Sequence, residues 1–293
     1  MLNAPNVQFW LSAVALGYLA IGLVFTVIAW KLATRRRTKV IGVLLVLGLF
    51  LSFPISGLVA TKLESYAFQK RYEVAAARFA ERCKTAGEKI IRTVDNVDGI
   101  FVMKMRSDMD TGHGNEKFAS GAAFFHESTE EFYLNSFLWF EEDDRKDGQR
   151  GRITSLQTKT PGYHYLDYVN PLDGTRYRYR VVARPEANYP NGTKYLTERS
   201  IATDHPPRYG VTFDDLVDPE DREHWIAGSI VRIIDLQSNQ EIARHTRFAF
   251  DRGLGGQAAH RLLWASPQYC PSFRQTGSFM TRHFVDRVLV PRK

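Results

Sequence analysis

Apolar residues are distributed along this chain in two distinct ways. Residues 9–30 contain no charged side chain, and neither do residues 40–60. At about 1.5 Å of rise per residue, each run spans the roughly 30 Å hydrocarbon layer of a bilayer. Soluble helices keep a polar face, and these two runs offer only scattered Ser, Thr and Gly. The pattern predicts two transmembrane helices, about 9–30 and 40–60, with Pro54 and Gly57 near the end of the second. The leader MLNAPNVQ has no Lys or Arg, unlike the positive n-region of a cleaved signal peptide, so both helices are expected in the mature chain.

Beyond residue 60 the pattern changes. Leu63, Tyr66, Ala67, Tyr72, Ala75, Ala76, Phe79 and Cys83 recur at helical spacing with charges between them, predicting a long amphipathic helix. Gly87 and the stretch VDNVDG at 94–99 are expected to end it, and GIFVMKMR then reads as a strand. Further strands are predicted at 163–169, 175–184 and 208–213. In RYRYR (176–180), Tyr alternates with Arg, which predicts a half-exposed strand with a solvated arginine face. GSIVRIIDLQSNQEIARHTRFAFD (228–251) places two strand-like runs around a polar turn at 237–240, a hairpin of an antiparallel sheet. DMDTGHGNE (108–116) and EEDDRKDGQRG (141–151) read as exposed loops, GLGG (253–256) as a turn, AAHRLLWA as a short helix and FMTRHFVDRVLV as a terminal segment. With no regular alternation of strand and helix, the class is α+β. The domains are a transmembrane hairpin, 1–60, and an extramembrane α+β domain, 61–293.

Charge changes the picture only once it is divided by region. The formal net charge is +7. Lys31, Arg35, Arg36, Arg37 and Lys39, in the loop 31–39 between the apolar runs, supply five of those charges, and residues 1–60 contain no Asp or Glu. The remainder carries +2, which argues against a nucleic-acid partner, since no clustered basic face is left to displace counterions from phosphate. The five cations act instead as topology determinants. By the positive-inside rule they place the loop in the cytoplasm and residues 61–293 in the periplasm of a bacterial inner membrane, although Lys62, Lys70, Arg71 and Arg78 pull the other way.

The two cysteines, Cys83 and Cys270, both lie in the outer domain. An oxidising compartment favours joining them, the alternative being two unrelated buried thiols. No Cys/His spacing fits zinc. DMDTGH has Gly112 and Ala119 where a calcium loop needs oxygen ligands. GLGG lacks the residues that follow phosphate-binding glycines, and no GxSxG, HExxH or SxxK pattern occurs. Asp204-His205, Glu223-His224 and the acidic stretch 214–225 read as surface or capping residues. No catalytic residue, cofactor or metal ligand is therefore assigned.

What stands out is aromatic content beside charged loops, in FYLNSFLWF, YHYLDY and RYRYR, a composition typical of protein interfaces. The expectation is an inner-membrane-anchored periplasmic binding protein with a protein partner and, in its most specific form, an immunity protein neutralising a secreted antibacterial toxin. That form rests on architectural analogy. An envelope assembly or secretion accessory factor is the second class. An unrecognised envelope hydrolase using His205, His224 and Asp214 is the third.

Overall fold

The computed structural model describes residues 4–32, 34–106, 117–118, 130–141, 153–154, 156–157, 160–256, 264, 267–272 and 280–293. The predicted loop at 108–116, the predicted loop at 141–151 apart from Glu141, and all of AAHRLLWA except Trp264, lie outside the described residues. Mixed helix and strand content agrees with class α+β. The chain divides into two compact units, Met1–Lys70 and Arg71–Lys293.

The first unit consists of α1 (Ala4–Leu32) and the first part of α2 (Arg36–Cys83). Both helices exceed the apolar runs that predict them. Lys31 closes α1, while Arg36, Arg37 and Lys39 lie in the opening turns of α2, leaving Arg35 and Thr34 as the described residues between them. The basic loop expected at 31–39 is thus mostly helical. Lys and Arg are good helix formers, and no Gly or Pro interrupts the stretch. Within this unit the Tyr18 hydroxyl donates to the Phe50 carbonyl over 2.6 Å. The Phe50 ring also meets Phe25 at 5.7 Å and lies against Gly22, where a β-carbon would come within 3.3 Å of it. Most of the other large apolar side chains point away from any core, Leu23 and Leu49 among them. Among the described residues, α2 is the helix long and apolar enough to cross a membrane, and Gly17–Leu32 forms a shorter apolar helix.

In the second unit, α2 ends at Cys83 and is followed by β1 (Gly87–Ile90), β2 (Val94–Val97) and β3 (Gly99–Val102). The stretch expected only to break the helix therefore also contributes strands, with Asn96 adopting a positive φ within β2. Next come α3 (Glu130–Leu138), β4 (Phe140–Glu141), β5 (Ile153–Thr154), β6 (Tyr165–Val169), β7 (Arg176–Pro185), β8 (Thr193–Ile201) and β9 (Tyr209–Leu216). The chain continues with α4 (Pro219–Glu223), β10 (Ile226–Asp235), β11 (Gln240–Phe250), β12 (Gln268–Cys270), α5 (Met280–Val288) and β13 (Leu289–Pro291).

Nine strands form one sheet in the order β1-β11-β10-β9-β3-β6-β7-β8, with β12 also pairing β11. The predicted hairpin is β10–β11, paired from Ile226↔Phe250 to Asp235↔Gln240. Within this sheet, among the described residues, β3 alone runs parallel to its neighbours, β6 and β9, and β13 pairs in parallel with β2 in a separate two-stranded sheet. Strand alternation sends Val102, Leu166, Val211, Phe213, Val231 and Ile233 into the main core, where Tyr133, Leu134 and Phe137 of α3 and Phe284, Val285 and Val288 of α5 cover them. Ala75 and Phe79, near the end of α2, join Ile226, Phe248, Phe250 and Leu254 in a second cluster. That packing follows from the helical spacing of Tyr72, Ala75, Ala76 and Phe79, and it includes a Phe79–Phe250 ring contact at 5.3 Å.

The sulfur atoms of Cys83 and Cys270 are 2.09 Å apart, a bonded pair that ties the end of α2 to β12. Two other local expectations are corrected. Arg178 is buried rather than solvated, because the fully buried Asp167 on neighbouring β6 accepts from its Nε at 2.7 Å and from Arg176 at 2.9 Å. Burying this arginine is tolerable because its charge is paired and its plane stacks on Tyr165 at 4.1 Å. Glu141, expected in an exposed loop, is buried in β4, where its Oε1 lies 2.7 Å from Nε2 of buried His283.

Candidate binding cleft

The sequence positions α3 through its own periodicity and through its C-terminus. Tyr133, Leu134, Phe137 and Leu138 form one apolar stripe, with Tyr133 and Phe137 edge to face at 5.0 Å. A helix end buried in a core needs partners for its last carbonyls. Arg282 of α5 supplies them: its fully buried guanidinium donates to the carbonyls of Ser136, Trp139 (3.3 Å) and Pro161 (3.3 Å), and Asp286 balances its charge at 2.5 Å. Gly162 passes so close to this end that a β-carbon would fall on the Leu138 carbonyl.

Held in this way, α3 leaves an open cleft against β6, β7 and β8. It comprises two adjoining cavities of about 420 and 270 Å³ that share Glu131, Leu134, Tyr179 and Arg199. Trp139 Nε1 donates to Thr197 Oγ1 at 2.9 Å, and Thr197 donates onward to Asn135 Oδ1 at 2.6 Å, so helix and strand are locked across one end. Leu172, 93% exposed, stands at the other.

The floor holds a buried ion pair. Arg106 reaches both carboxylate oxygens of Asp215, one at 2.7 Å, and Ser229 donates to the same carboxylate at 2.8 Å. Burial pushes the Asp215 pKa up, but the hydrogen bonds and charge of Arg106 win and hold it below the usual carboxylate value. The Arg106 guanidinium also lies over Phe213 at 4.3 Å. Arg199 is a different kind of cation. It is exposed at the rim, its pKa raised by hydrogen bonding with Tyr179, and it stacks over Tyr177 at 5.0 Å. Burial raises the pKa of Tyr168, beside it in the lining. A cleft of this size with aromatic walls, an exposed guanidinium and amide and hydroxyl groups is equipped to hold a polar side chain or a short peptide segment.

The remaining sequence candidates are dispersed. Asp214 on β9 pairs with Arg232 of β10, His205 offers its carbonyl to Arg178, and His224 follows α4. Asp218 is a capping residue, accepting from the backbone of Glu220 at 2.9 Å and of Asp221 at 3.4 Å. Among the described residues no group of three His, Cys, Asp or Glu side chains is placed to hold a metal ion. Lys31, Arg35, Arg36 and Arg37 are exposed in the first unit, and Lys39 stands 5.3 Å from the Trp30 ring. Sequence reasoning missed β8 altogether, and with it Thr197 and Arg199. The signal was present: Tyr195, Thr197, Arg199 and Ile201 alternate with Lys194, Leu196, Glu198 and Ser200 between two proline-containing turns.

Comparison of the chain with protein-family models, with curated proteins and with solved structures gave no match.

Proposed function

We infer that this is a membrane-anchored binding protein whose sheet domain holds a protein partner at the surface of a bacterial inner membrane. The observation that carries this reading is the construction of α2. Its amino-terminal part is an apolar helix long enough to cross a bilayer, and its last turns are tied to the sheet unit by Arg78, Arg82 and the Cys83–Cys270 bond. The exposed leucines of α1 and α2 fit lipid as their surroundings, and the basic residues between the helices fit a cytoplasmic turn. The disulfide supports an oxidising compartment for the sheet unit, which in this topology is the periplasm. The cleft supplies a surface for the partner.

Photo-cross-linking in cells tests the reading. With a cross-linker at Leu172, on the cleft rim, a protein adduct of discrete size is expected, and it should persist when residues 1–60 are exchanged for an unrelated two-helix anchor. No adduct at Leu172 overturns the reading. An adduct lost with the native anchor would instead favour an assembly factor that works through its intramembrane helices.

A further inference from the structure

The two edges of the main sheet are finished differently. At one edge, the outer side of β11 is covered by β1 over Thr246–Ala243 and by β12 over Phe248–Phe250. At the other, β8 pairs with β7 from Thr193 to Ile201 without a register shift, and among the described residues nothing pairs with its outer side. The strand has no proline and no bulge, two usual devices for blunting an edge. Its second half, Glu198 to Ile201, is exposed.

The ladder fixes which groups face outward. Ala202 N–H donates to Arg176 O at 2.9 Å, and Glu186 N–H to Gly192 O at 2.9 Å, at the two ends of a register that stays constant between them. In an antiparallel pair, hydrogen-bonded and non-hydrogen-bonded positions alternate. Residues 194, 196, 198 and 200 therefore turn their backbone groups toward β7, while Tyr195, Thr197, Arg199 and Ile201 turn theirs to the open edge. Side-chain alternation puts these same four on the cleft face, and Thr197 and Arg199 line the cleft itself. Among the described residues, the unpaired edge of β8 and the cleft form one continuous surface.

Charge specifies what fits there. Of the six Lys and Arg in residues 176–201 only Arg199 shares the cleft face, and the charged groups lining the cleft are Arg106 and Arg199 against Glu131, a positive balance. Several of the six are already engaged: Arg176 and Arg178 with Asp167, Arg184 with Glu198, and Lys194 with Glu186. Arg180 and Arg199, on opposite faces of the hairpin, are exposed and stack on Tyr165 and Tyr177.

We propose that β8 is a strand-addition site for an extended, acidic segment of the partner protein, whose alternate side chains enter the cleft beside Arg199. This rests on the binding-protein reading and gives it a docking mode. Main-chain hydrogen bonds to Tyr195, Thr197, Arg199 and Ile201 supply affinity, and the cleft and its guanidinium select the side chains.

The test uses the full chain in lipid nanodiscs and a synthetic seven-residue peptide alternating valine and glutamate. Controls are the same peptide with lysine for glutamate and one N-methylated at every second amide. The glutamate peptide is expected to bind at least tenfold more tightly than either control. Residue-resolved hydrogen exchange should show new protection at the amides of Thr197, Arg199 and Ile201, with no change at 196, 198 and 200. Ile201→Pro, which removes one outward N–H and leaves the β7 pairing intact, should weaken binding several-fold. Arg199→Glu should reverse the preference toward the lysine peptide.

Equal affinity of the plain and N-methylated peptides, or no binding of the glutamate peptide, overturns the proposal. Protection of the same amides in the absence of peptide, rising with protein concentration, would assign the edge to a second copy of this chain and also overturn it. A Leu172 adduct in cells with unprotected edge amides leaves the binding reading standing and removes this docking mode. Loss of the Leu172 adduct removes the binding reading itself.

Discussion

Nε of Arg78 stands 2.5 Å from Oδ1 of Asp221, an ion pair that joins the penultimate turn of α2 to α4 across 143 positions of the chain. Arg82 reaches the other Asp221 oxygen at 2.8 Å, and Asp218 completes the group. Hydrogen bonding to Asp221 raises the Arg78 pKa. Asp221 is buried and both arginines are partly exposed, so solvent weakens the pairing on the arginine side only. Asp221→Ala should destabilise the sheet unit by about 1–3 kcal/mol, and Arg78→Ala by less. A double-mutant cycle followed by urea denaturation should return a favourable coupling. Additive effects would show that the pair contributes nothing beyond its separate side chains.

The Cys83–Cys270 bond closes a loop across 187 positions a few residues from that ion-pair group. In the chain-entropy account such a closure restricts the unfolded state by on the order of 5 kcal/mol, and measured values usually fall below this. Cys83→Ser should lower the midpoint of thermal unfolding by well over 5 °C, and reductant should lower the parent protein to the same midpoint while leaving the variant unchanged. Calorimetry with and without dithiothreitol checks both.

Gly162→Ala should be among the most damaging single-methyl changes in this chain. The added carbon meets the Leu138 carbonyl at the end of α3, and Arg282 holds the neighbouring carbonyls of Ser136 and Trp139, so that end of the helix cannot yield without breaking those bonds. A loss of about 2–4 kcal/mol is expected. Gly174→Ala, at a turn with φ +68° and open space around it, should lose less, about 1 kcal/mol from backbone conformation alone.

His245 sets a pH dependence. Burial, followed by the nearby charges of Arg247 and Arg287, lowers its pKa from 6.5 to about 3. Because the folded value lies below the unfolded one, the group contributes nothing at pH 7, where both states are neutral. As pH falls through 6.5 the unfolded state takes up the proton first and stability drops, down to about pH 3. At pH 5 the loss is about 2 kcal/mol. Asp215, Asp218 and Asp235, all held below their usual value, add a second loss only under more acid conditions, as pH falls through and below 3.8. His245→Phe, which keeps a ring against Phe284, should flatten the stability profile between pH 6.5 and 4.5. An unchanged slope would assign that region to another group.

The apolar runs, the α2 periodicity and the β10–β11 hairpin were legible in the sequence because each rests on local spacing. The parallel pairings of β3, the burial of Asp167 with Arg178, and the Glu141–His283 contact were not. They join residues far apart in sequence, and a charged residue carries no local mark of the partner that will bury it. RYRYR shows the difference. Its alternation located β7 correctly, but exposure of its arginines depended on Asp167 in the preceding strand. The cleft was hidden for the same reason: Asn135, Thr197 and Arg199 meet only after α3 and β8 are brought together by the core.

The central claim is that the sheet unit stands outside the inner membrane on a helical anchor, and protease accessibility in spheroplasts addresses it most directly. With the outer membrane removed and the inner membrane intact, added protease should digest residues 84–293 while a cytoplasmic control protein survives. Protection of the sheet unit until the inner membrane is ruptured would contradict the account and place the cleft and its open strand on the cytoplasmic side.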